Sequence, residues 1–389
     1  MRGPRMRFLA YAVIVALAPI TTMAGDQQPV LSDYFPPTEE QGGWRTLLPA
    51  EGPPNDTAKA RIRELAGIDW DVLKQAWDHN IRAEGATGFL VIRRGYIVGE
   101  WYKDGDHAKA YNIYSSSKSY TSTAFGMILA DFGHGPLSSG KTLSLDHKVC
   151  NAEWLPESLP LPDPRKAGIT ARELLNMVSG LGEENPPVKD YPFEWALGHR
   201  EGSPMARLKN DPGTAFHYSN AGVAHLSLLF HRATGEDLYP FLKRRLFEPV
   251  GITQLEWTSM GGPASGAGAI GPYSQGYTGI HTTPRQHARF CYLALHRGEW
   301  AGKRIVPSSY YDFAWKGTSV KPEYGGQWWV APRIPGAPAD LAMTLGRIHN
   351  DGFVVPSLDL VFVRLGDGEK HPRNFEGVLV QKVLAAVLK

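Results

Sequence analysis

The order of strand and helix patterns along this chain of 389 residues is the feature that most restricts its fold. Alternating apolar residues predict a first pair of strands around an Arg94-Gly95 turn, and strand patterns return only near the end of the chain. These patterns occupy residues 88–93, 96–102, 327–330, 352–355 and 358–363. Because strands at both ends bracket a mostly helical middle, we expect one sheet built from the two terminal parts of the chain.

The predicted fold class is therefore α+β, with two layers in which an antiparallel sheet is flanked by helices. A mostly helical subdomain is inserted at about 130–310, and a last helix is predicted from Phe375 to Leu388. This domain spans residues 85–389. It follows a segment, 25–84, that combines an irregular leader with a helix beginning near Trp70.

The first 24 residues have the pattern of a secretory signal peptide. A basic start, Met1–Arg7, is followed by an apolar run, Phe8–Thr22, and by small residues. The run contains Pro19 and is short for a membrane span, although an uncleaved anchor is the alternative. We therefore expect a periplasmic or secreted protein, with no stable membrane span after cleavage.

The balance of charges along the chain argues against one class of partner. The 41 Lys and Arg residues nearly balance 39 Asp and Glu residues, without a long run of one sign. This balance argues against a nucleic-acid partner.

Two cysteines, Cys150 and Cys291, allow either one disulfide or two buried thiols. No motif requires a metal or an organic cofactor.

Ser115 and Lys118 form an S-x-x-K motif at the start of a predicted helix. Residues three apart on a helix share one face, so the serine hydroxyl should lie beside the lysine amine. The positive end of the helix dipole favours negative charge at the same place. A nucleophilic serine needs both a nearby base and a positive potential.

Three other motif matches fail on their context. Ser138–Lys141 is a second S-x-x-K, but Gly135, Pro136 and Gly140 around it predict a turn. Gly135–Thr142 fits the phosphate-loop pattern without the strand and helix that the loop requires. Gly266–Gly271 fits G-x-G-x-x-G, and we interpret it as a flexible loop.

Tyr218-Ser219-Asn220 is the second motif with a chemical interpretation. It lies in a loop before a predicted helix, about a hundred residues after Ser115. A tyrosine hydroxyl near a lysine can relay protons, and an asparagine amide can hold a substrate carbonyl. The alternative for Tyr218 is a packed core tyrosine.

These motifs together resemble the serine β-lactamase and penicillin-binding-protein superfamily. The nearest branch is the class C-like one, with β-lactamase-related esterases and 6-aminohexanoate-dimer hydrolases. The resemblance covers roughly residues 85–389 and implies a β-lactamase/transpeptidase-like fold with its site between sheet and helical subdomain. The segments that carry it are Ser115–Lys118, Ile169–Leu181, Tyr218–Asn220 and Val355–Gly366.

The resemblance also implies roles for six residues. Ser115 would form an acyl-enzyme, with Lys118 and Tyr218 exchanging its proton. Asn220 would orient the substrate. Backbone N–H groups of Ser115 and of a residue near Ile348, on a final strand, would stabilise the oxyanion. His349 would line the pocket, or serve only as a structural histidine.

One departure from the family pattern bears on the substrate. Members that act on β-lactams usually carry K-T-G beside the site, whereas this chain has Gly346–Gly352, similar to the G-x-H-G-Q type of amide hydrolases and esterases. Arg347 could replace the missing lysine. We therefore expect a serine hydrolase of small carboxylic esters or amides. The alternatives are a β-lactamase or D,D-peptidase, a 6-aminohexanoate-oligomer amidase, and a non-catalytic binding protein on the same fold.

Two further expectations concern the walls of the pocket. Residues 183–202 and 261–279 would form loops around it. Trp328 and Trp329 alternate along a predicted strand, so at most one of the two should face the cleft.

Overall fold

The structure is a computed structural model, and it describes residues 31–183, 192–261, 270–331 and 333–388. The predicted signal peptide, residues 1–24, lies outside these ranges. So do most of the Gly266–Gly271 motif and parts of both expected loops around the pocket.

A seven-stranded antiparallel sheet organises the molecule, as the strand patterns predicted. Its strands are ordered β10-β11-β12-β13-β14-β1-β2. Their bounds are β1 Thr87–Arg93, β2 Tyr96–Lys103, β10 Tyr324–Gly325, β11 Trp328–Val330, β12 Ala342–Thr344, β13 Asp351–Val355 and β14 Leu360–Gly366. β1 pairs with β14 from Thr87 opposite Gly366 to Arg93 opposite Leu360, so the two ends of the chain meet inside the sheet.

The turn between β1 and β2 lies at Arg94-Gly95, as predicted. Arg94 and Gly95 both have positive φ, 50° and 74°. A two-residue hairpin turn of type I′ requires this conformation at both central positions, and glycine adopts it without steric cost.

Alternation along β1 divides the core into two layers. Phe89 and Val91 pack in one apolar cluster, while Leu90 and Ile92 pack in the other. Side chains two apart share a face of a strand, so β1 separates the clusters. The cluster with Phe89 and Val91 includes residues of α1 (Asp56–Ala66), α2 (Trp70–Asn80) and α10 (Phe375–Ala385). The cluster with Leu90 and Ile92 includes residues of the helices in the middle of the chain.

The middle of the chain combines helices with short strands. Its helices are α3 Ser117–Gly126, α4 Ala171–Leu175, α5 Pro192–Leu197, α6 Asn220–Thr234, α7 Leu238–Leu242, α8 Pro284–Leu295 and α9 Ser308–Ala314. Its strands are β3 Tyr111–Asn112, β4 Leu255–Trp257, β5 Ser259–Met260, β6 Tyr273–Ser274, β7 Ile280–Thr282, β8 Glu299–Trp300 and β9 Lys303–Arg304. These strands form one three-stranded and two two-stranded sheets, which the sequence patterns did not predict.

Helix boundaries follow local capping chemistry. Thr170 accepts a hydrogen bond from the Glu173 N–H and the Glu173 carboxylate accepts one from the Thr170 N–H, a capping box that begins α4. Ser219 caps α6 in a similar way by accepting from the Gly222 N–H. Within the described residues, no helix has the length and apolar character needed to cross a membrane.

Both cysteines are buried free thiols in the structure. Of the two alternatives left open by the sequence, this is the one without a disulfide. Burial raises the pKa of the Cys150 thiol to about 12, so the thiol is protonated at neutral pH.

Candidate active site

Ser115 lies in the short segment between β3 and α3. Residues Tyr114–Ser116 form one turn of 3-10 helix, and α3 begins at Ser117. The helix therefore begins two residues later than Ser115, although the turn preserves the spacing to Lys118. Tyr114 adopts a left-handed conformation with φ 47°, which is uncommon for a bulky residue and marks a tightly held segment.

Lys118 is the buried partner of Ser115. Its side chain is 1% exposed, and its Nζ lies 2.9 Å from Ser115 Oγ in a hydrogen bond. Nζ also donates to the Tyr277 carbonyl at 2.8 Å. Burial holds the pKa of the Lys118 amine well below its usual range. Because the charged form is disfavoured, the amine can carry the free lone pair that a base requires.

Tyr218 approaches the same pair from the loop before α6. Lys118 Nζ lies 4.9 Å from the centroid of the Tyr218 ring, and the Ser115 side chain is close enough to affect the pKa of Tyr218. Burial raises the pKa of Tyr218 to about 12, although the nearby Ser115 side chain acts to lower it. The phenol is therefore neutral near pH 7 and has a proton to donate.

Asn220 follows Tyr218 as the first residue of α6. Ser219 fixes this corner through its cap on Gly222 and through its own N–H, which donates to Met177 Sδ at 3.3 Å. The structure thus brings Ser115, Lys118 and Tyr218 together as the Ser115 cluster, and it places Asn220 in the first turn of α6.

The segment Gly346–Asn350 lies against the residues that flank Ser115. Ser116 Oγ donates to the Asn350 carbonyl at 2.7 Å, and Asn350 Nδ2 donates to the Asn112 carbonyl at 2.7 Å. A side chain at Gly346 would meet the Ile113 carbonyl at 2.3 Å, so only glycine permits this approach.

Ile348 lies in this segment and not on a strand, which corrects the position expected for the second oxyanion donor. It belongs to one turn of 3-10 helix, Arg347–His349, and has φ 56°. Arg364 fixes the turn, because its Nη1 donates to the Ile348 carbonyl at 2.7 Å. The role of Ile348 as a donor stays a prediction.

The side chains beside Ile348 make contacts outside the Ser115 cluster. Arg347 is exposed and forms an ion pair with Glu369 at 2.8 Å. The His349 ring contacts those of His371 and Phe375, at centroid distances of 4.8 and 5.1 Å. These contacts place the His349 ring toward α10.

Trp328 and Trp329 differ in burial, as their alternation along the strand predicted. Trp328 is fully buried and donates from Nε1 to the Tyr310 hydroxyl at 3.0 Å. Trp329 is half-buried and stacks on the Tyr218 ring, with centroids 5.9 Å apart. Trp329 is therefore the tryptophan beside the Ser115 cluster.

Tyr277 is a site residue that sequence reasoning missed. It supplies the carbonyl that accepts from Lys118, and its ring centroid lies 5.9 Å from Lys118 Nζ. A backbone carbonyl carries no sequence signature, so only its location in the expected pocket loop 261–279 pointed toward the site.

The second S-x-x-K lies in a turn, as its context predicted. Ser138 and Ser139 form a turn closed by the Gly140 N–H, which donates to the Leu137 carbonyl at 2.8 Å. Lys141 lies on the surface near Glu153. This motif therefore has no buried amine.

The chain belongs to the Beta-lactamase family. The sequence profile of that family matches residues 77–353, which include Ser115, Lys118, Tyr218 and Ile348. The resemblance drawn from the motifs is thus confirmed. No curated protein matches the chain.

Solved structures with this fold include proteins described as different hydrolases. A protein proposed to be a 6-aminohexanoate-dimer hydrolase, from Bacillus anthracis, is 20% identical with a TM-score of 0.60, over 80% of each chain. A proposed β-lactamase from Bacteroides dorei DSM 17855 is 16% identical with a TM-score of 0.64, over 82% of this chain and 99% of its own. A family VIII carboxylesterase is 15% identical with a TM-score of 0.59, over 82% and 97%. The chain therefore has the fold of β-lactamase-family hydrolases.

Proposed function

We propose that this protein is a serine hydrolase that cleaves small carboxylic esters or amides through an acyl-enzyme. The observation that carries the proposal is the buried amine of Lys118, 2.9 Å from Ser115 Oγ. Burying an amine without a carboxylate partner is unfavourable for stability, and a nucleophile beside it explains why such a site would be kept.

In the proposed acylation step, Ser115 Oγ attacks the substrate carbonyl carbon while Lys118 takes the hydroxyl proton. The pKa directions support this assignment, because burial favours the neutral amine of Lys118 and the neutral phenol of Tyr218. Tyr218 then donates its proton to the leaving alkoxide or amine as the carbon–oxygen or carbon–nitrogen bond breaks. Lys118 returns the proton that it holds to Tyr218.

In the proposed deacylation step, water attacks the acyl-enzyme and regenerates the Ser115 hydroxyl. The N–H groups of Ser115 and Ile348 would stabilise the oxyanion in both steps. Losing one such donor typically slows the reaction about 100–1000-fold. Asn220 would orient the substrate carbonyl, and Trp329 would form an aromatic wall beside Tyr218.

The surroundings of the site favour esters over β-lactams. Arg347, the candidate substitute for the lysine of K-T-G, is held by Glu369 on the surface. An amide substrate is the second candidate, supported by the likeness to the Bacillus anthracis protein. The same proton relay serves both leaving groups.

The test compares four substrates on one purified protein. Hydrolysis of p-nitrophenyl acetate and p-nitrophenyl butyrate should exceed that of nitrocefin, while the 6-aminohexanoate dimer tests the amidase alternative. Ser115→Ala should lose at least about 1000-fold in kcat/KM. Ser138→Ala, which alters the surface S-x-x-K, is the matched control and should keep wild-type rates.

Two results would overturn the proposal. An active Ser115→Ala variant would exclude Ser115 as the nucleophile. A wild-type protein that turns over none of the four substrates, and that a serine-reactive fluorophosphonate does not label, would favour the non-catalytic binding protein.

A further inference from the structure

A cluster of three metal-ligating side chains lies between the Ile348 turn and α10. His349, Asp351 and Glu376 each offer one ligand atom, and these atoms all lie within 4.8 Å of one another. We propose that this three-residue cluster binds one divalent transition-metal ion, with zinc as the best match. The inference is independent of the hydrolase activity proposed above.

Asp351 supplies the most deeply buried of the three ligands. Its side chain is 3% exposed, and its Oδ1 accepts from the Gly346 N–H at 2.9 Å. Its Oδ2 faces His349 Nδ1 at 3.7 Å, which is longer than a hydrogen bond. A buried carboxylate oxygen directed at an imidazole across this gap leaves room for an ion between them.

Glu376 brings a second carboxylate to the same place from another element. Its side chain is 13% exposed, and burial, together with the negative charge of Asp351, raises its pKa. Arg333 reaches it only at 3.2 and 3.4 Å, whereas charge-assisted bonds are usually 2.7–2.9 Å. Because a carboxylate has about four lone-pair sites, Glu376 can accept from Arg333 and still ligate an ion.

His371 offers a further nitrogen beside the cluster. Its ring centroid lies 4.8 Å from that of His349, and its Nε2 is buried without a hydrogen-bond partner among the described residues. A buried ring nitrogen without a partner is the kind of group that a metal ion satisfies. His371 is not among the three clustered ligands, so these three side chains carry the proposal.

The cluster is accessible, although its surroundings oppose very tight binding. His349 and Glu376 line a cavity of about 430 Å³, through which an ion and its water ligands can enter. The guanidinium groups of Arg333 and Arg364 lie nearby and repel a further positive charge. We therefore expect binding weaker than that of structural zinc sites.

The chemical types of the three ligands, one imidazole and two carboxylates, indicate which class of metal ion would bind. An imidazole with carboxylates suits zinc and other first-row transition ions, whereas magnesium prefers oxygen ligands and waters. Three protein ligands and an open position are also the common arrangement of non-structural zinc sites. Calorimetric titration with zinc chloride, and with magnesium chloride for comparison, tests this choice.

The experiment uses the full chain without an affinity tag, after treatment with a chelator. Wild-type protein should bind one equivalent of zinc and show no heat of binding with magnesium. His349→Asn and Glu376→Gln should each weaken zinc binding at least tenfold. Asparagine tolerates the left-handed backbone of His349, φ 58°, so this variant preserves the turn.

Partly exposed His134 provides the matched control, because His134→Asn removes an imidazole that is not among the three ligands and should leave the titration unchanged. The proposal fails if wild-type protein binds no zinc, or if neither cluster variant weakens the binding. Thermal unfolding checks that each variant is folded. If His349→Asn is not folded, the zinc titration of Glu376→Gln decides the test. Ester hydrolysis plays no part in the readout, so the two proposals can fail separately.

Discussion

Lys118 shows how far one side chain could be predicted from the sequence. The three-residue spacing from Ser115 correctly predicted their proximity, because that spacing places both on one face of a helical turn. The spacing could not predict that the Tyr277 carbonyl is the second hydrogen-bond partner of Lys118, since any residue can supply a carbonyl. The approach of Tyr218, a hundred residues away, depended on the family resemblance and not on local geometry.

Replacing Lys118 by Met should make the stability difference from wild type depend on pH. The pKa of Lys118 is lowered in the folded state, so below about pH 10.4 the unfolded state binds more protons. Wild-type stability should therefore rise with pH, by up to about 1.4 kcal/mol per pH unit, relative to Lys118→Met.

Urea unfolding of both proteins between pH 7 and pH 9.5 measures this difference. The exposed Lys148→Met variant is the control and should show a constant difference from wild type. A constant difference for Lys118→Met would mean that the buried amine is charged in the folded protein, contrary to its proposed role as the base.

At the scale of elements, α3 is buried along its whole length and depends on close contact with its neighbours. Gly126, near its end, faces the ring of Tyr310, and a Cβ there would lie 2.5 Å from the ring carbon Cγ. The glycine is therefore required for the packing of α3 against α9, and not for an unusual backbone angle.

Gly126→Ala should destabilise the protein by about 1–3 kcal/mol, because overfilling a packed interior forces side chains or backbone to move. Gly168→Ala is the matched control, since a Cβ there would meet only Pro212 at 3.8 Å. Urea unfolding at neutral pH compares the two. Equal stability of both variants would show that α9 can move away without cost.

The Ile348 turn marks where element-level prediction failed. The resemblance placed this segment on a strand, whereas Ile348 and His349 both adopt left-handed conformations. Isoleucine is disfavoured in this conformation. Arg364, from β14, stabilises the turn by donating to the carbonyls of both residues. Such a contact between separate elements leaves no periodic pattern in the sequence.

At the scale of the whole molecule, several histidines remain neutral because the protein buries them. Burial lowers the pKa of His225 and His287 to about 3 and that of His296 to about 4. In the unfolded chain these rings titrate near pH 6.5, so below that pH the unfolded state binds more protons. Acid should therefore favour unfolding.

The free energy of unfolding should fall between pH 7.5 and pH 5 by about 2 kcal/mol for each of these histidines. Urea unfolding at the two pH values measures the loss. His287→Gln should show a smaller loss than wild type, whereas His134→Gln, which alters a partly exposed histidine, should show the full loss. A stability independent of pH in this range would mean that the buried rings accept protons without unfolding.

The overall architecture was predictable because apolar periodicity reports which faces are buried. Strand patterns at both ends correctly predicted one sheet made from the two ends of the chain. The short strands of the middle, such as the two-residue β3 and β5, were not predictable, because two residues cannot establish a period.

The pairing of β1 with β14 has a consequence for how the molecule is made. Thr87 pairs with Gly366, far along the chain, so β1 waits for a neighbour that the ribosome synthesises much later. Contacts this distant in sequence require the closure of a very long loop, which slows folding. The nascent chain must therefore carry β1 with an unpaired edge until β14 has been synthesised, and an edge of that kind is a site of aggregation that chaperones protect.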